Sequence, residues 1–365
     1  MSGPSISQQD KDFMQKCFKL AQKGRGQVSP NPLVGAVVVK DGHVIGEGYH
    51  EQFGGKHAEV NAIESTSAKV DNATLYCNLE PCCHEKKKTP PCTPFIISHN
   101  IKRVVIANDD PNPQVAGKGI EQLRQAGIEV ETGVLNEEGA YLNRFFFKYI
   151  KSGMPYVLLK VAQSVDGYIA AEPGKQTWLT GPEAQTLVHQ LRSEYDAVLV
   201  GANTVKVDDP SLSVRQVKGR NPLRIILDGQ LSSPLSAKIF NDSAPENTWI
   251  FTNRESNIQK ITVLRQKKVQ IVECNGMSNG NLKLEEILRY LAARGINSLL
   301  VEGGQSIVSQ FLKQHLVDEL IVLQSPAILG GGVSTIKMKK SHSLRLLDVS
   351  RLGDDVKLHY LAVVN

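Results

Sequence analysis

Short apolar runs that alternate with helix-like segments are the feature of this 365-residue sequence that most limits its fold. LVGAVVV (33–39) and RVVIA (103–107) are almost continuously apolar, which is typical of strands buried on both faces. Two more strands are predicted at 43–49 and 73–79. Helices are predicted from the cap Ser7 to Gly24 and at 57–67, 92–99, 118–126 and 137–151. This alternation predicts an α/β sheet covered by helices on both faces.

The second half of the sequence has the same alternation without repeating the first half. Strands are predicted at 156–162, 196–202, 222–228, 248–252, 269–274, 297–303 and 319–325. Helices are predicted at 181–195, 284–295 and 304–317. We therefore expect a second α/β domain.

The segment SGMP (152–155) interrupts the pattern directly after a long predicted helix. Glycine and proline in such a segment favour a break between elements, and a chain of this length is expected to hold two domains. We place the domains at 1–152 and 153–365.

The composition is that of a soluble globular protein, with 41% hydrophobic and 22% charged residues. The first residues, MSGPSISQQDKDF, lack the apolar core of a secretion signal, and no stretch approaches the roughly 20 apolar residues of a membrane span. We expect a cytoplasmic protein. A net charge of +5 suits an anionic small molecule as well as nucleic acid.

Four of the six cysteines lie between positions 77 and 92. In a long chain without a secretion signal, clustered cysteines favour metal binding or chemistry over disulfides. Cys17 instead falls on the apolar stripe of a predicted helix, where core packing is the expected role.

The stretches HAE (57–59) and PCC…PPC (81–92) together predict a metal site. One imidazole and two thiolates, from His57, Cys82 and Cys92, are a common set of ligands for catalytic zinc. Glu59 would then transfer protons, as in nucleobase deaminases, although nine residues rather than two separate these cysteines. Taken singly, each residue also fits an ordinary role, such as a helix cap, a first-turn acid or a buried thiol.

Cys83 and His84 could also bind a metal by their chemistry alone. We favour Cys82 because a proline precedes it, as in the zinc pattern. Both prolines before the cysteines would fit the first positions of helices.

The sequence resembles the bifunctional deaminase/reductase family of riboflavin biosynthesis. The resemblance rests on PNPLVGAVVV, GEGYH, HAEVNAI, LEPCCH…TPPC and DDPNPQVAGKGI, and continues through LKVAQSVDGYIA, VGANTVKVDDPSLSVR and VEGGQSIVSQFL. It implies an N-terminal cytidine-deaminase-like α/β/α domain and a C-terminal dihydrofolate-reductase-like α/β domain. It also implies zinc-dependent hydrolytic deamination of a diaminopyrimidine ribosylamine phosphate, followed by reduction of the ribosyl group to ribityl with NADPH.

By matching motifs, the resemblance assigns further residues to the two sites. The pyrimidine and phosphate pocket of the deaminase would be lined by Asn31, His50, His84, Lys88, Asp110 and Asn112. Substrate of the reductase would contact Lys160, Gln176, Arg192, Leu212, Arg215 and Glu302. NADPH would contact Ala162, Trp178, Thr204, Asp208, Gly304, Gln305, Ser306, Ile307, Val308, Ser309 and Gln310.

Two local departures from the family pattern affect these assignments. HEKKKTPPC is one residue longer than usual and lacks a glycine, so the phosphate contact is open between Lys87 and Lys88. Gln176 stands where the family usually has serine. The second half also lacks the G-x-G-x-x-G fingerprint, and VEGGQS is the segment that could place backbone N–H groups on a phosphate.

The composition and the ligand pattern argue against two other functions. A nucleic-acid or nucleoside deaminase with an accessory binding domain should expose basic and aromatic clusters, yet aromatic residues make up only 6% of the chain. A protein whose metal is purely structural would be expected to have four ligands and no need for Glu59. We therefore expect an enzyme for a small phosphorylated pyrimidine, acting without nucleic acid or membrane, and a homo-oligomer.

Overall fold

The computed structural model describes residues 6–84, 89–254, 256–274, 282–339 and 341–363. The chain divides into two compact units, Met1–Gly153 and Met154–Asn365. The division falls within the SGMP segment.

The first unit contains one five-stranded sheet with helices on both faces. Its described elements are α1 (Gln8–Gln22), β1 (Gly35–Lys40), β2 (His43–Tyr49), α2 (Ala58–Glu64), β3 (Thr74–Leu79), α3 (Cys92–Ser98), β4 (Arg103–Asn108), α4 (Lys118–Gln125), β5 (Glu129–Thr132), α5 (Asn136–Leu142) and α6 (Arg144–Ser152). The strand order is β2-β1-β3-β4-β5. Strand β1 is antiparallel to both neighbours, while β3, β4 and β5 run parallel.

Alternate residues of each central strand pack on opposite faces, as the period of a strand requires. In β1, Ala36 and Val38 pack in a core with α2, α3 and α4. Val37 and Val39 pack with α1 and Leu142 on the other face. This two-sided burial explains the continuous apolar runs in the sequence.

Helix α2 lies unusually close to β2 because β2 presents glycine to it. A Cβ atom on Gly48 would lie 2.3 Å from the backbone nitrogen of Ala62 and 2.6 Å from the carbonyl oxygen of Ala58. The close approach fixes the first turn of α2, which follows His57.

The prediction of one helix over 137–151 is wrong. The structure has α5 and α6 with Asn143 between them. Asn143 is buried, and its side chain accepts a hydrogen bond from the Leu33 N–H (2.8 Å) and donates one to the Leu33 carbonyl (3.0 Å). A contact distant in sequence therefore overrides local helix propensity.

The second unit is built on a nine-stranded sheet. Its described elements are β6 (Tyr156–Gln163), β7 (Tyr168–Ala170), α7 (Pro182–Glu194), β8 (Ala197–Gly201), α8 (Ala202–Asp208), β9 (Leu223–Leu227), β10 (Thr248–Asn253), α9 (Ile258–Gln266), β11 (Gln270–Cys274), α10 (Leu284–Ala292), β12 (Ser298–Val301), α11 (Gln305–Lys313), β13 (Glu319–Gln324), β14 (Val333–Ser334), β15 (Leu344–Leu352) and β16 (Asp355–Ala362), with 3-10 turns at Lys238–Phe240 and Pro245–Asn247. The sheet order is β11-β10-β9-β8-β12-β6-β13-β16-β15, and β7 pairs with β14.

Seven adjacent strands of this sheet, from β11 to β13, are parallel. One face packs against α10 and α11, through residues such as Leu159, Leu299 and Phe311. Residues of alternate parity, including Leu158 and Val198, are also buried. The predicted strands of this half are present within a few residues of the expected bounds.

The C-terminal strands β15 and β16 were not predicted. They form an antiparallel hairpin, and β16 pairs antiparallel with β13. Most of β15 is exposed at the sheet edge, so it lacks the apolar alternation that marks a half-buried strand. None of the helices in the described part of the chain has the length and apolarity needed to cross a bilayer.

Candidate active sites

Three potential metal ligands converge in the first unit where α2 and α3 begin. His57 is the N-cap residue of α2, and Cys92 is the first residue of α3. His57 Nδ1 lies 3.4 Å from Cys82 Sγ and 3.3 Å from Cys92 Sγ. All three ligand atoms lie within 4.8 Å of one another. An imidazole nitrogen and two thiols form a donor set that fits zinc.

Cys82 reaches this cluster from a loop, so the expectation that a helix starts at its proline is wrong. Its carbonyl oxygen accepts hydrogen bonds from the N–H groups of Cys92 (2.9 Å) and Thr93 (3.2 Å). Cys82 Sγ also accepts from the Cys92 N–H at 3.4 Å. The loop thus caps α3 and holds the two sulfur atoms together.

Glu59 lies in the first turn of α2, two residues after His57. Its side chain is buried, and Oε2 has no hydrogen-bond partner among the described residues. Burial raises the pKa of the Glu59 carboxyl, and the nearby His57 offsets part of this rise. A buried carboxylate oxygen left unsatisfied is costly, which fits an atom reserved for substrate or water.

Thr89 orients the His57 ring from its other side. Its hydroxyl lies 3.1 Å from His57 Nε2, which leaves Nδ1 facing the two thiols. Such outer contacts fix the orientation of metal-ligating histidines. Thr89 was not among the predicted site residues, and its place directly before Pro90 was the available signal in the sequence.

Asn31 and His50 lie next to each other beside this cluster. The Asn31 amide nitrogen is 3.1 Å from His50 Nε2, and the His50 and His57 ring centroids are 5.3 Å apart. The segment after Asn31 is held by two buried amides, because Asn78 and Asn143 both hydrogen-bond the backbone of Leu33.

The remaining deaminase candidates follow β3 and β4. Asp110 and Asn112 lie in the loop after β4, where Asp110 Oδ1 accepts from the Asn112 N–H at 2.8 Å. His84 follows β3, and its Nδ1 is buried with no hydrogen-bond partner in the described part of the chain. Lys86, Lys87 and Lys88 lie outside the described residues.

The second unit contains a cavity of about 1530 Å³. Ala162, Gly201 and Leu227 line it near the carboxyl ends of β6, β8 and β9. Ligands of open α/β sheets bind at this edge. The cavity is also lined by predicted reductase residues: Lys160, Gln176, Trp178, Arg192, Thr204, Asp208, Leu212, Arg215, Glu302, Gly304, Gln305, Ser306, Ile307 and Gln310.

A buried ion triad forms part of the wall. Glu302 accepts from Arg192 Nε (2.6 Å) and Nη2 (3.0 Å) and lies 3.1 Å from Lys160 Nζ. Burial alone would raise the pKa of Glu302, but the charges of Lys160 and Arg192 outweigh it and lower the pKa to about 2. Two cations and one anion leave the triad with a charge of +1, which suits an anionic ligand.

Arg215 is a third cationic side chain at this cavity. It is exposed, and its guanidinium donates to the hydroxyls of Ser211 and Ser213. Its backbone N–H donates to His189 Nδ1 at 3.2 Å. His189 also lines the cavity and was missed by sequence analysis, because a histidine on an amphipathic helix carries no distinguishing signal.

The segment Gly304–Gln310, which is the N-cap and the first six residues of α11, contains most of the predicted cofactor contacts. Gly304 is the N-cap of α11, and the first turn of this helix carries no acidic residue. Because the first N–H groups of a helix have no partner within the helix, this terminus favours binding of an anion. Val308 and Ser309 do not line the cavity. Helix α11 turns them inward, where Val308 packs in the core and Ser309 accepts from the Lys337 N–H at 2.8 Å.

Three other cavity residues differ sharply in exposure. Trp178 is 78% exposed, so a large apolar surface is available to a flat ligand. Leu212 is buried with φ of 52°, a left-handed conformation that is uncommon for leucine and is often found at functional sites. Gln176 is exposed and also lines the cavity.

Comparison with known proteins agrees with this two-site arrangement. Residues 7–108 match the cytidine and deoxycytidylate deaminase zinc-binding region, and residues 155–358 match the RibD C-terminal domain. The riboflavin biosynthesis protein RibD of Aquifex aeolicus is 44% identical over 362 residues, covering 97% of this chain and 99% of the relative. The corresponding Escherichia coli protein is 37% identical, with 96% and 99% covered.

Solved structures give the same result. RibD of Acinetobacter baumannii matches with a TM-score of 0.89 at 36% identity, over 98% of this chain and 99% of that one. A Thermotoga maritima protein described as a diaminohydroxyphosphoribosylaminopyrimidine deaminase/5-amino-6-(5-phosphoribosylamino)uracil reductase matches with a TM-score of 0.86 at 38% identity, over 97% and 99%.

Fold and sites together define an enzyme in which a zinc-binding deaminase domain is joined to a reductase domain. The predicted fold class is confirmed, and so are the cofactors zinc and NADPH. The chain belongs to the RibD family of riboflavin biosynthesis proteins. It is a bifunctional enzyme that acts on a small substrate.

Substitution of either clustered thiol should remove the metal. We expect about one zinc per chain in the parent protein, and large losses in Cys82→Ser and Cys92→Ser. Cys83→Ser, the matched control in the same loop, should keep its zinc. Metal analysis of the purified proteins measures this, and full retention in both of the first two variants would refute the assignment of these ligands.

Glu302→Gln should destabilise the second unit, because Lys160 and Arg192 lose their buried partner. Breaking such a pair costs about 3 kcal/mol or more. The folded-state pKa of about 2 lies below the ordinary 4.5, so this stabilisation is present above pH 4.5 and is lost as pH falls towards 2. Urea unfolding should therefore show a difference between parent and variant that shrinks in acid. Glu286→Gln, at an exposed pair with Lys283, is the control; a difference that does not change with pH would contradict this account.

Proposed function

We propose that this chain acts on 2,5-diamino-6-ribosylamino-4(3H)-pyrimidinone 5′-phosphate in two steps. The first unit removes an amino group by hydrolysis, and the second reduces the ribosyl group to a ribityl chain with NADPH. The observation that carries the proposal is a His/Cys/Cys cluster with a buried carboxylate in one unit and a cationic cavity in the other. The description of the T. maritima protein names these two activities.

In the deaminase, we assign the metal to His57, Cys82 and Cys92. Bound zinc supplies the Lewis acidity that makes water nucleophilic near neutral pH. Glu59 would move two protons: its Oε2 accepts one from the attacking water and gives it to a ring nitrogen, and then accepts the second from the new hydroxyl and gives it to the amine. The C–N bond breaks as the carbonyl forms, and the amine leaves as ammonia. Burial of Glu59 keeps bulk water from competing for these transfers.

The pyrimidine and its phosphate are held by residues around this cluster. Supporting this, Asn31 and His50 lie beside His57, and Asp110 and Asn112 share one loop. The Nδ1 atom of His84 is buried without a hydrogen-bond partner among the described residues, so it can bind the substrate. A lysine of the segment 86–88 is assigned to the phosphate.

In the reductase, NADPH supplies the hydride that the sugar carbon C1′ receives. The substrate phosphate is assigned to Arg215, whose guanidinium is exposed and held by two serine hydroxyls. Arg192 binds Glu302 through two nitrogens, so it acts mainly by holding that carboxylate and Lys160 against the sugar. Gln176 and Leu212 complete the substrate wall.

The cofactor is assigned to other residues that line the same cavity. Support comes from the N-terminus of α11 at Gly304 and from Thr204 and Asp208 on α8. Ala162 and Trp178 offer apolar surface to the nicotinamide end. Burial raises the pKa of Asp208, which favours its uncharged form next to the negative cofactor.

We also propose that the protein acts in the cytoplasm as a homo-oligomer. The exposed edge strand β15, where Leu346 and Val349 are more than half exposed, is the surface that supports association. Light scattering that gives the mass of a single chain would contradict the oligomer.

The function is tested with the aminopyrimidine phosphate itself. Ammonia release is followed first, and loss of NADPH absorbance is followed after NADPH is added. A folded, zinc-loaded protein that releases no ammonia from this substrate would refute the proposal.

Glu59→Gln should keep zinc and the fold but lose ammonia release by about 10²–10⁴-fold, because the proton relay is gone. NADPH oxidation with deaminated substrate should be unchanged. Glu64→Gln, an exposed position on the same helix that pairs with Lys56, serves as the control. If Glu59→Gln released ammonia at nearly the parental rate, Glu59 would have no role in proton transfer and would only stabilise the first turn of α2.

A further inference from the structure

Glu80 is a buried carboxylate outside the ligand set already described. It directly follows β3, and a single residue, Pro81, separates it from Cys82 along the chain. Its side chain is only 3% exposed. A carboxylate this far from water needs hydrogen-bond donors around it.

Four backbone N–H groups surround this carboxylate. Oε2 accepts from Asp110 (3.1 Å) and Gly117 (2.9 Å), and Oε1 accepts from Gly119 (3.0 Å) and Ile120 (3.3 Å). Gly117, Gly119 and Ile120 lie at the N-terminus of α4, where free N–H groups and the helix dipole favour an anion.

These contacts anchor the loop between β4 and α4 at both of its ends. Asp110 is the second residue after β4, and Gly117 is the N-cap residue of α4. Between them, Asp110 Oδ1 accepts from the Asn112 N–H, and Asn112 Oδ1 accepts from the Gln114 N–H. The position of Asn112 therefore depends on Asp110, and that of Asp110 on Glu80.

Close packing at Gly119 keeps this arrangement tight. A Cβ atom at this position would lie 2.2 Å from the Pro81 carbonyl oxygen and 3.2 Å from Glu80 Oε1. Glycine thus lets α4 contact the Glu80–Pro81–Cys82 segment directly, so one short segment bears both Cys82 and the anchor of the Asp110 loop.

We propose that Glu80 is a positioning residue of the deaminase, which holds Asp110 and Asn112 in register with the Cys82 loop so that the aminopyrimidine phosphate binds correctly. This rests on the proposed function of Asp110 and Asn112 as substrate contacts. Glu80 itself touches neither substrate nor metal; it acts through the backbone of the loop.

Glu80→Gln tests the proposal in the full chain. The amide replaces one acceptor oxygen with a donor that faces N–H groups, so the loop loses its fixed position. Hydrogen bonds to charged groups are strong enough that we expect KM for the aminopyrimidine phosphate to rise about 10- to 100-fold. The kcat of ammonia release, the zinc content and NADPH oxidation with deaminated substrate should stay at parental values.

Glu121→Gln is the matched control, since Glu121 is an exposed glutamate on the same helix whose carboxylate contacts Gln125. It should leave KM unchanged. Glu80→Asp keeps the charge but shortens the side chain, and it should raise KM by less than Glu80→Gln; it decides the question if Glu80→Gln does not fold.

A zinc-loaded Glu80→Gln protein, or Glu80→Asp in its place, with parental KM would overturn the proposal. A variant that loses its zinc and has a lower kcat would also overturn the proposal, because Glu80 would then be needed to hold the loop that carries Cys82. If the parent protein releases no ammonia, the proposed function fails instead, so the two failures are distinguishable.

Discussion

The cost of burying a carboxylate is the constraint on which both sites depend. Glu80 is satisfied by four backbone N–H groups and Glu302 by two cationic side chains. An ionised carboxylate away from water is strongly unfavourable without such partners. The groups around each carboxylate therefore have little freedom, which is the property that substrate positioning requires.

Parallel strands explain why these partners meet. In the first unit β3 and β4 are parallel neighbours, so the loops that bear Glu80 and Asp110 leave the sheet at the same edge. In the second unit β12 lies between β8 and β6, which brings Glu302 beside Lys160. Adjacent parallel strands thus bring residues together beside the metal cluster in one unit and at the large cavity in the other.

Sequence patterns were enough to predict the elements buried on both faces and the residues of the metal cluster, because apolar continuity and ligand chemistry are local signals. Contacts between distant segments were not predictable. Asn143 breaks a helix to bind Leu33, and Cys82 sits in a loop rather than at a helix start. The edge strand β15 has no buried face, so its sequence lacks an apolar alternation that would predict a strand. The local sequence around Glu80, an acidic residue next to a proline, does not indicate that its side chain is buried.

We infer that hydrolysis and reduction occur at separate sites and that only hydrolysis needs the metal. The most direct test is to measure the zinc dependence of both reactions on one sample. The protein is stripped with a chelator, and ammonia release and NADPH oxidation with deaminated substrate are measured before and after zinc is restored. We expect ammonia release to fall to background and to return with zinc, while NADPH oxidation stays constant. Loss and recovery of both activities together, or ammonia release from metal-free protein, would contradict this inference.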